Sequence, residues 1–415
     1  MWIAKQKPWI VCMTAALFFF YEFMQINMFS ALVPSLTQEL HLNPIAVGSL
    51  SACYLAGDIL LIFPAGLLLD IASPRKVILL AMLISILGTF MFSFAHTLAF
   101  ASLGRFVAGA AAGPFCLLGT LKLISHWFEP HKTAFVTGIV VAFGMVGGII
   151  SQAPFQQLIS CYGWRNTLLM NSCLGLAFLL LMYFFVQDSP NKSPTLFSSS
   201  RHPRMQLCKE VKAVALFSQN WLCGCFASLI NLPILVLGAT WGGEYLFHEF
   251  HVPYQTGSII TTMLYIGMLV GSPLFGYISD KTRNRRFPML VGAIICLLSL
   301  GLLLCIPHPS LQIFLLTFFL IGLGSSSQII GYPTVAESNP KQMEGTAVGL
   351  ATTLIMSGGT LFQPLFGVIV DKVNNAGAYN GYKLAFLIFP IAASISIIIL
   401  YFVKETYCKR LNPSN

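Results

Sequence analysis

Apolar residues run through this chain in long continuous blocks with short polar breaks between them, rather than in ten-residue alternating segments. Twelve such blocks are visible, near 9–35, 46–69, 77–97, 100–127, 133–155, 165–187, 213–244, 257–279, 287–307, 310–336, 344–370 and 380–403. Each is long enough to cross a bilayer as a helix, which takes roughly 20 residues at a rise of 1.5 Å. Continuous apolar blocks exclude barrel strands, so the sequence predicts an all-α membrane protein of twelve transmembrane helices. The first block is longer than the apolar region of a signal peptide and has no small-residue cleavage site, so it is expected to stay as the first span.

Composition agrees. Of 415 residues, 56% are hydrophobic and only 9% charged, against about a quarter charged in a soluble domain. The net charge of +9 raises the possibility of nucleic-acid binding, which the placement of the charge excludes. With the N-terminus inside, 18 of the 23 Lys and Arg residues fall in cytoplasmic segments, and Arg165, Lys372 and Lys383 alone fall on the other face. That bias predicts both termini in the cytoplasm. Of the eleven cysteines most lie inside apolar spans, and Cys223 and Cys225 form a CxC pair. They read as small buried hydrophobes, not as a disulfide framework or metal site. No phosphate-binding loop and no nucleophile with its base is present, so neither ATP hydrolysis nor catalysis is predicted, and no cofactor or metal is expected.

The one long polar interruption, 188–212, is rich in Ser, Pro, Lys and Arg and reads as a cytoplasmic linker between an N-terminal bundle, 1–187, and a C-terminal bundle, 213–415. The two halves repeat each other. GLLLDIASPRK (66–76) is answered by GYISDKTRNRR (276–286), so Gly66 and Asp70 recur as Gly276 and Asp280, 210 positions on. Gly138, Gly147, Gly148 and Gln152 recur as Gly349, Gly358, Gly359 and Gln363 at a spacing of 211.

Over nearly its whole length the sequence resembles a major facilitator superfamily transporter. Gly66, Asp70, Arg75 and Lys76 match that superfamily's loop signature between spans two and three, and Gly276, Asp280, Arg285 and Arg286 its weaker second copy. RFVAGAAAG, which Arg105 opens, resembles the fourth-span signature, and YGWR (162–165) a common turn before span six. GMVGGIISQAP (144–154) is only partly like the fifth-span motif of antiporters. The resemblance implies two pseudo-symmetric six-helix bundles, a functional monomer, and a cytoplasmic gate made of the two loop signatures. In that reading Gly66 and Gly276 let neighbouring helices approach closely. Asp70 and Asp280 pair with basic residues or a helix N-terminus. More narrowly, the segment 241–280 is similar to nutrient and siderophore transporters of intracellular gamma-proteobacteria.

Four ionisable residues fall inside spans: Glu22, Asp58, Arg105 and Lys122. Each costs about 2.5–3.5 kcal/mol to insert and is a functional candidate by default. The superfamily's cavity is lined by spans one, four, seven and ten, which favours Glu22 with Arg105 as the proton-coupling pair. Burial opposes the charge of such a carboxylate and a guanidinium favours it, so together they poise it to bind and release a proton. Asp58, with Tyr54 one turn before it as a local partner, reads equally as a coupling or a structural group. Gln25 shares a face with Glu22. Lys122 either attracts an anionic substrate or snorkels to the interface. Gln152, Asn231, Trp241, Gln328, Tyr332 and Gln363 supply neutral polar lining for substrate, and Pro233 and Pro364 bend their spans. Glu244 reads as a solvated rim residue near the outer end of span seven.

The function predicted is proton-coupled import of a small polar metabolite, an organic anion or a zwitterion such as an amino acid or short peptide, across a bacterial inner membrane. An exporter of drugs or siderophores and a transporter-like receptor are the alternatives. The partners expected are the small-molecule substrate, the proton and the lipid bilayer.

Overall fold

The computed structural model describes residues 2–189, 211–377 and 380–410. Within them there is no strand, and twelve helices are long and apolar enough to cross a membrane. The chain divides into two compact units, Met1–Ser200 and Arg201–Asn415. Most of the predicted linker, 190–210, lies outside the described residues.

In the first unit, α1 (Trp2–Asn27) and α2 (Phe29–Leu40) follow each other closely; α3 (Pro44–Ile71), α4 (Pro74–Ser93) and α5 (Leu98–Trp127) supply spans two to four. Span five is broken into α6 (Pro130–Ile150) and α7 (Ala153–Tyr162), and α8 (Trp164–Phe185) is span six. The starts of α3, α4 and α5 are written locally. Asn43, Ser73 and Thr97 each accept the amide three residues on, and Pro44 and Pro74 occupy the first helical position, where no backbone donor is needed.

The YGWR turn depends on Gly163, whose φ of 78° suits a residue without a Cβ. It carries the Arg165 guanidinium to the Glu39 carboxylate at 2.6 Å and the Trp164 indole N–H to the same group at 2.5 Å. Hydrogen bonds from Arg165 and then Trp164 hold the Glu39 carboxyl below the usual range.

Helix crossings are tight where glycines face backbone, but not at the glycines of the loop signatures. A Cβ on Gly57 would strike α5 at the Phe106 carbonyl, and one on Gly109 would strike the Tyr54 carbonyl. The second unit repeats both contacts, Gly267 against Phe319 and Gly322 against Leu264. A Cβ on Gly66 or Gly276 meets nothing within 4 Å. The close approach expected of those two residues is therefore made about two and a half turns earlier on the same helices, at Gly57 and Gly267, and by Gly109 and Gly322 of the facing helices, all against main chain.

In the second unit, span seven is composite: α9 (Ser218–Ile230), a nine-residue π-helix (Pro233–Trp241) and α10 (Gly242–Phe250). Pro233 lacks the amide that would continue α-helical bonding, and Asn231 O accepts from both Ile234 N and Leu235 N as the winding loosens. Next come α11 (Tyr254–Thr282), α12 (Arg286–Cys305), and span ten as α13 (Leu311–Ser325), a 3₁₀ turn (Ser326–Ile330) and α14 (Gly331–Ser338). Span eleven is α15 (Glu344–Ala376), and α16 (Gly381–Phe386) with α17 (Ile388–Phe402) forms span twelve. Because α10 continues past the apolar block, Glu244 is not a solvated rim group. It is 7% exposed, with His248 Nε2 at 3.3 Å.

Candidate functional site

The first unit brings two of its ionisable span residues, Glu22 and Arg105, to one tyrosine. Glu22 on α1 and Arg105 on α5 are each 2% exposed, and Tyr54 on α3 is fully buried. The Tyr54 hydroxyl donates to Glu22 Oε2 at 2.5 Å. The Arg105 guanidinium sits over the Tyr54 ring at 4.6 Å and the Phe29 ring at 4.9 Å, and its Nη1 donates to the Gln25 carbonyl at 2.8 Å. The Glu22 carboxyl and the Arg105 guanidinium are therefore joined through the tyrosine, whose hydroxyl bonds the one and whose ring face meets the other. Glu22 Oε1 and Arg105 Nε have no hydrogen-bond partner among the described residues.

This differs from the local pairing of Tyr54 with Asp58. Helical spacing permits that contact, but tertiary packing turns the hydroxyl to Glu22 instead. Asp58, 5% exposed, rests its carboxyl against Gly113 of α5, where any Cβ would collide with it. Gln25 is 1% exposed and contributes its carbonyl to Arg105. Lys122 lies partly buried near the other end of α5, five residues before the helix stops at Trp127.

The repeated glutamines brace the two broken spans. Gly147, five residues before Gln152, sets α6 against the Phe20 carbonyl of α1, and Gly358, five before Gln363, sets α15 against Ser228 of α9. In the first unit Gln152 Nε2 donates to the Asn27 carbonyl at 2.9 Å, and its Oε1 accepts from Ser30 Oγ at 3.1 Å, across the junction of α1 and α2. In the second, Gln363 Nε2 donates to the Leu235 carbonyl inside the π-helix at 2.7 Å, and Trp241 Nε1 returns a bond to the Gln363 carbonyl at 3.0 Å. A helix break in lipid exposes carbonyls that only protein can satisfy. Gln363→Leu is expected to cost about 1–3 kcal/mol by stranding the Leu235 carbonyl that the side-chain amide serves. A thermal melt of the purified variant measures it, and Gln152→Leu should cost a similar amount.

Trp241 also stacks on Phe366 at 5.1 Å. Asn231 Oδ1 accepts from Gln328 Nε2 at 3.0 Å, leaving Gln328 Oε1 unpartnered among the described residues. Tyr332 packs against the cluster of Ala227, Leu235 and Ile355.

At the loop signatures each unit staples its own chain. The Asp188 carboxylate accepts from Ser73 Oγ at 2.6 Å and Arg75 N at 2.8 Å, and Arg75 Nη2 reaches the Tyr183 carbonyl at 2.7 Å. In the second unit Glu405 accepts from Arg285 N and Arg286 N, both at 2.8 Å, and Arg286 Nη2 reaches the Tyr401 carbonyl at 3.2 Å. In both, an acid placed just after the last span caps the helix that follows the loop. Arg285 further forks onto Glu337 at 2.6 and 3.2 Å and bonds Asp280 at 2.7 Å. Burial draws the Arg285 guanidinium down, but Glu337 and Asp280 outweigh it and hold it above the ordinary arginine range. Lys76 is exposed, and the Asp70 side chain lies outside the described residues. The sequence reading missed Asp188, Glu337 and Glu405. FVQD (185–188) and FVKE (402–405), 217 positions apart, were the available signal for two of them.

The sequence matches the profile of the Major Facilitator Superfamily over residues 15–245 and 236–414. The chain belongs to that superfamily. As a member it is a multi-pass secondary transporter. It is 24% identical over 402 residues to a hexuronate transporter of Bacillus subtilis (strain 168), covering 92% of each chain. It is also 24% identical over 406 residues to the membrane sensor protein UhpC of Escherichia coli (strain K12), covering 93% of this chain and 88% of that one. Among solved structures, a D-xylose–proton symporter superposes with a TM-score of 0.77 at 17% identity, over 97% of this chain and 99% of the other.

Proposed function

We propose that this transporter is a proton-coupled importer of a small organic anion or zwitterion, such as an amino acid or short peptide. It works as a monomer by alternating access in a bacterial inner membrane, with both termini in the cytoplasm. The carrying observation is the buried Glu22–Tyr54–Arg105 unit, which holds one acid and one fixed cation in contact with the same tyrosine. Glu22 takes the proton, Arg105 biases it, and Asp58 stands in reserve one turn from Tyr54. Gln25 and Lys122 in the first unit, and Asn231, Trp241, Gln328 and Tyr332 in the second, contact solute, with Gln152 and Gln363 shaping the spans beneath them. Asp70, Arg75, Lys76, Asp280, Arg285 and Arg286 form the cytoplasmic gate, with Gly66 and Gly276 on the same helices.

Anionic cargo is favoured by the relatives, whose names include a hexuronate, a sulfoacetate and a hexose phosphate carrier. A sensor reading is favoured by the matches to the membrane sensor protein UhpC. Amino acids, dipeptides, sugar acids, organic acids and sugar phosphates are screened for thermal stabilisation, and each hit is tested for uptake into proteoliposomes. Stabilisation by a monoanion or zwitterion with uptake supports import. Stabilisation without any flux supports the sensor, and stabilisation only by bulky hydrophobic cations or siderophores overturns the importer.

A further inference from the structure

The first unit carries an apolar trough lined by α3, α4 and α5. Helices α3 and α4 each pack closely along α5 but scarcely touch each other. The divergence leaves a trough of about 540 Å³ between them, within the range of ligand pockets. Its floor is α5 around Ala110, and its walls are Leu61 and Leu68 of α3 and Leu80 and Ile84 of α4. Leu68, Leu80 and Ile84 are 39%, 58% and 37% exposed, so the trough opens sideways rather than into the unit.

Of the described residues lining it, Lys76 alone is charged, and it stands exposed at one end, in the first turn of α4. From Lys76 to Ile84 the wall runs about 12 Å at helical rise, close to the roughly 15 Å of one hydrocarbon leaflet. A water-soluble solute finds almost nothing to hydrogen-bond in such a lining. In the first turn of α4 the Arg75 amide is already taken by Asp188 and the Lys76 amide by Ser73 Oγ, so an anion at the lip meets the Lys76 ammonium rather than the helix end.

We infer that this trough binds one anionic phospholipid, an acyl chain lying between α3 and α4 and the headgroup phosphate on Lys76. The inference uses the topology proposed above, in which the lip faces the cytoplasm, the side whose leaflet carries anionic lipid. It does not depend on the choice of transported solute.

The full chain is purified in mild detergent and examined by native mass spectrometry with dioleoyl phosphatidylglycerol or dioleoyl phosphatidylcholine. The expected result is one retained phosphatidylglycerol, held about fivefold more tightly than phosphatidylcholine, the contribution of one interfacial lysine. Lys76→Gln should reduce it to the phosphatidylcholine level, and Ala110→Trp, which fills the floor, should displace both lipids. On the unaltered protein, phosphatidylglycerol with a photoreactive diazirine in its tail should label the peptide holding Leu80 and Ile84. Equal retention of the two lipids, a preference that survives Lys76→Gln, or label spread evenly over exposed leucines such as Leu180 and Leu298 would overturn the site.

Discussion

Glu22→Gln in proteoliposomes is expected to abolish accumulation driven by a pH gradient while leaving solute exchange in place. Across one pH unit, a carrier moving one proton per solute can sustain about a tenfold concentration ratio, since one unit is worth 1.36 kcal/mol. The glutamine variant should stop at a ratio of about one. The substitution is chosen because an amide oxygen still accepts the Tyr54 hydroxyl that the carboxylate accepts at 2.5 Å, so packing is kept and only the titrating charge is lost. Counterflow of labelled solute checks that the variant still binds and turns over. Continued accumulation in Glu22→Gln, with its loss in Asp58→Asn, would move the coupling site from Glu22 on α1 to Asp58 on α3.

Arg285→Ala is expected to lower the stability of the second unit by about 3–5 kcal/mol, the cost of removing one partner from a buried charge network. The Arg285 side chain is 9% exposed, and it joins Glu337, which is 18% exposed, to Asp280, which is 71% exposed. Among the described residues, alanine would leave the Glu337 carboxylate with the Thr406 hydroxyl as its remaining hydrogen-bond donor, at 2.6 Å. Arg285→Lys should recover a fraction of the loss, because an ammonium cannot reproduce the two parallel bonds to Glu337. The pH dependence has a definite sign. A guanidinium held above its ordinary range contributes stability that is complete below the unfolded value and is lost only as pH rises beyond it. The destabilisation of Arg285→Ala, followed by thermal melting, should therefore be flat between about pH 6 and 9. A loss confined to the upper end of that window would contradict the arrangement.

Individual residues show how far the linear pattern reaches. Glu22, Asp58 and Arg105 stood out because a charge in an apolar block is rare, and all three are buried in one unit. What spacing could not say was which of them Tyr54 serves. It lies four residues from Asp58, yet its hydroxyl crosses to another helix, a choice made by the rotation of α3 against α1. Gln152 and Gln363 were visible as a repeat, and polarity suggested solute. Their amides lie on carbonyls of the broken spans one and seven, a need that exists only once those spans have bent. Gly66 and Gly276 were read as close contacts from their place in a motif, and the contacts belong to Gly57, Gly109, Gly267 and Gly322. Glu244 looked solvated because the apolar block ends there, whereas α10 runs on to Phe250 and carries it under cover.

By itself the sequence determined the solvent of this protein, the number of its spans, the duplication of its halves and the family it belongs to. Those properties rest on segment hydrophobicity, charge placement and repeat spacing, which are sums along the chain. Tertiary structure alone decided which polar atoms meet: Glu22 with Tyr54, the glutamines with freed carbonyls, Asp188 and Glu405 with the loop amides. A hydrogen bond selects its partner within about 3 Å, and one residue of rotation on a helix turns a side chain by 100°, so only the packed helices fix that choice.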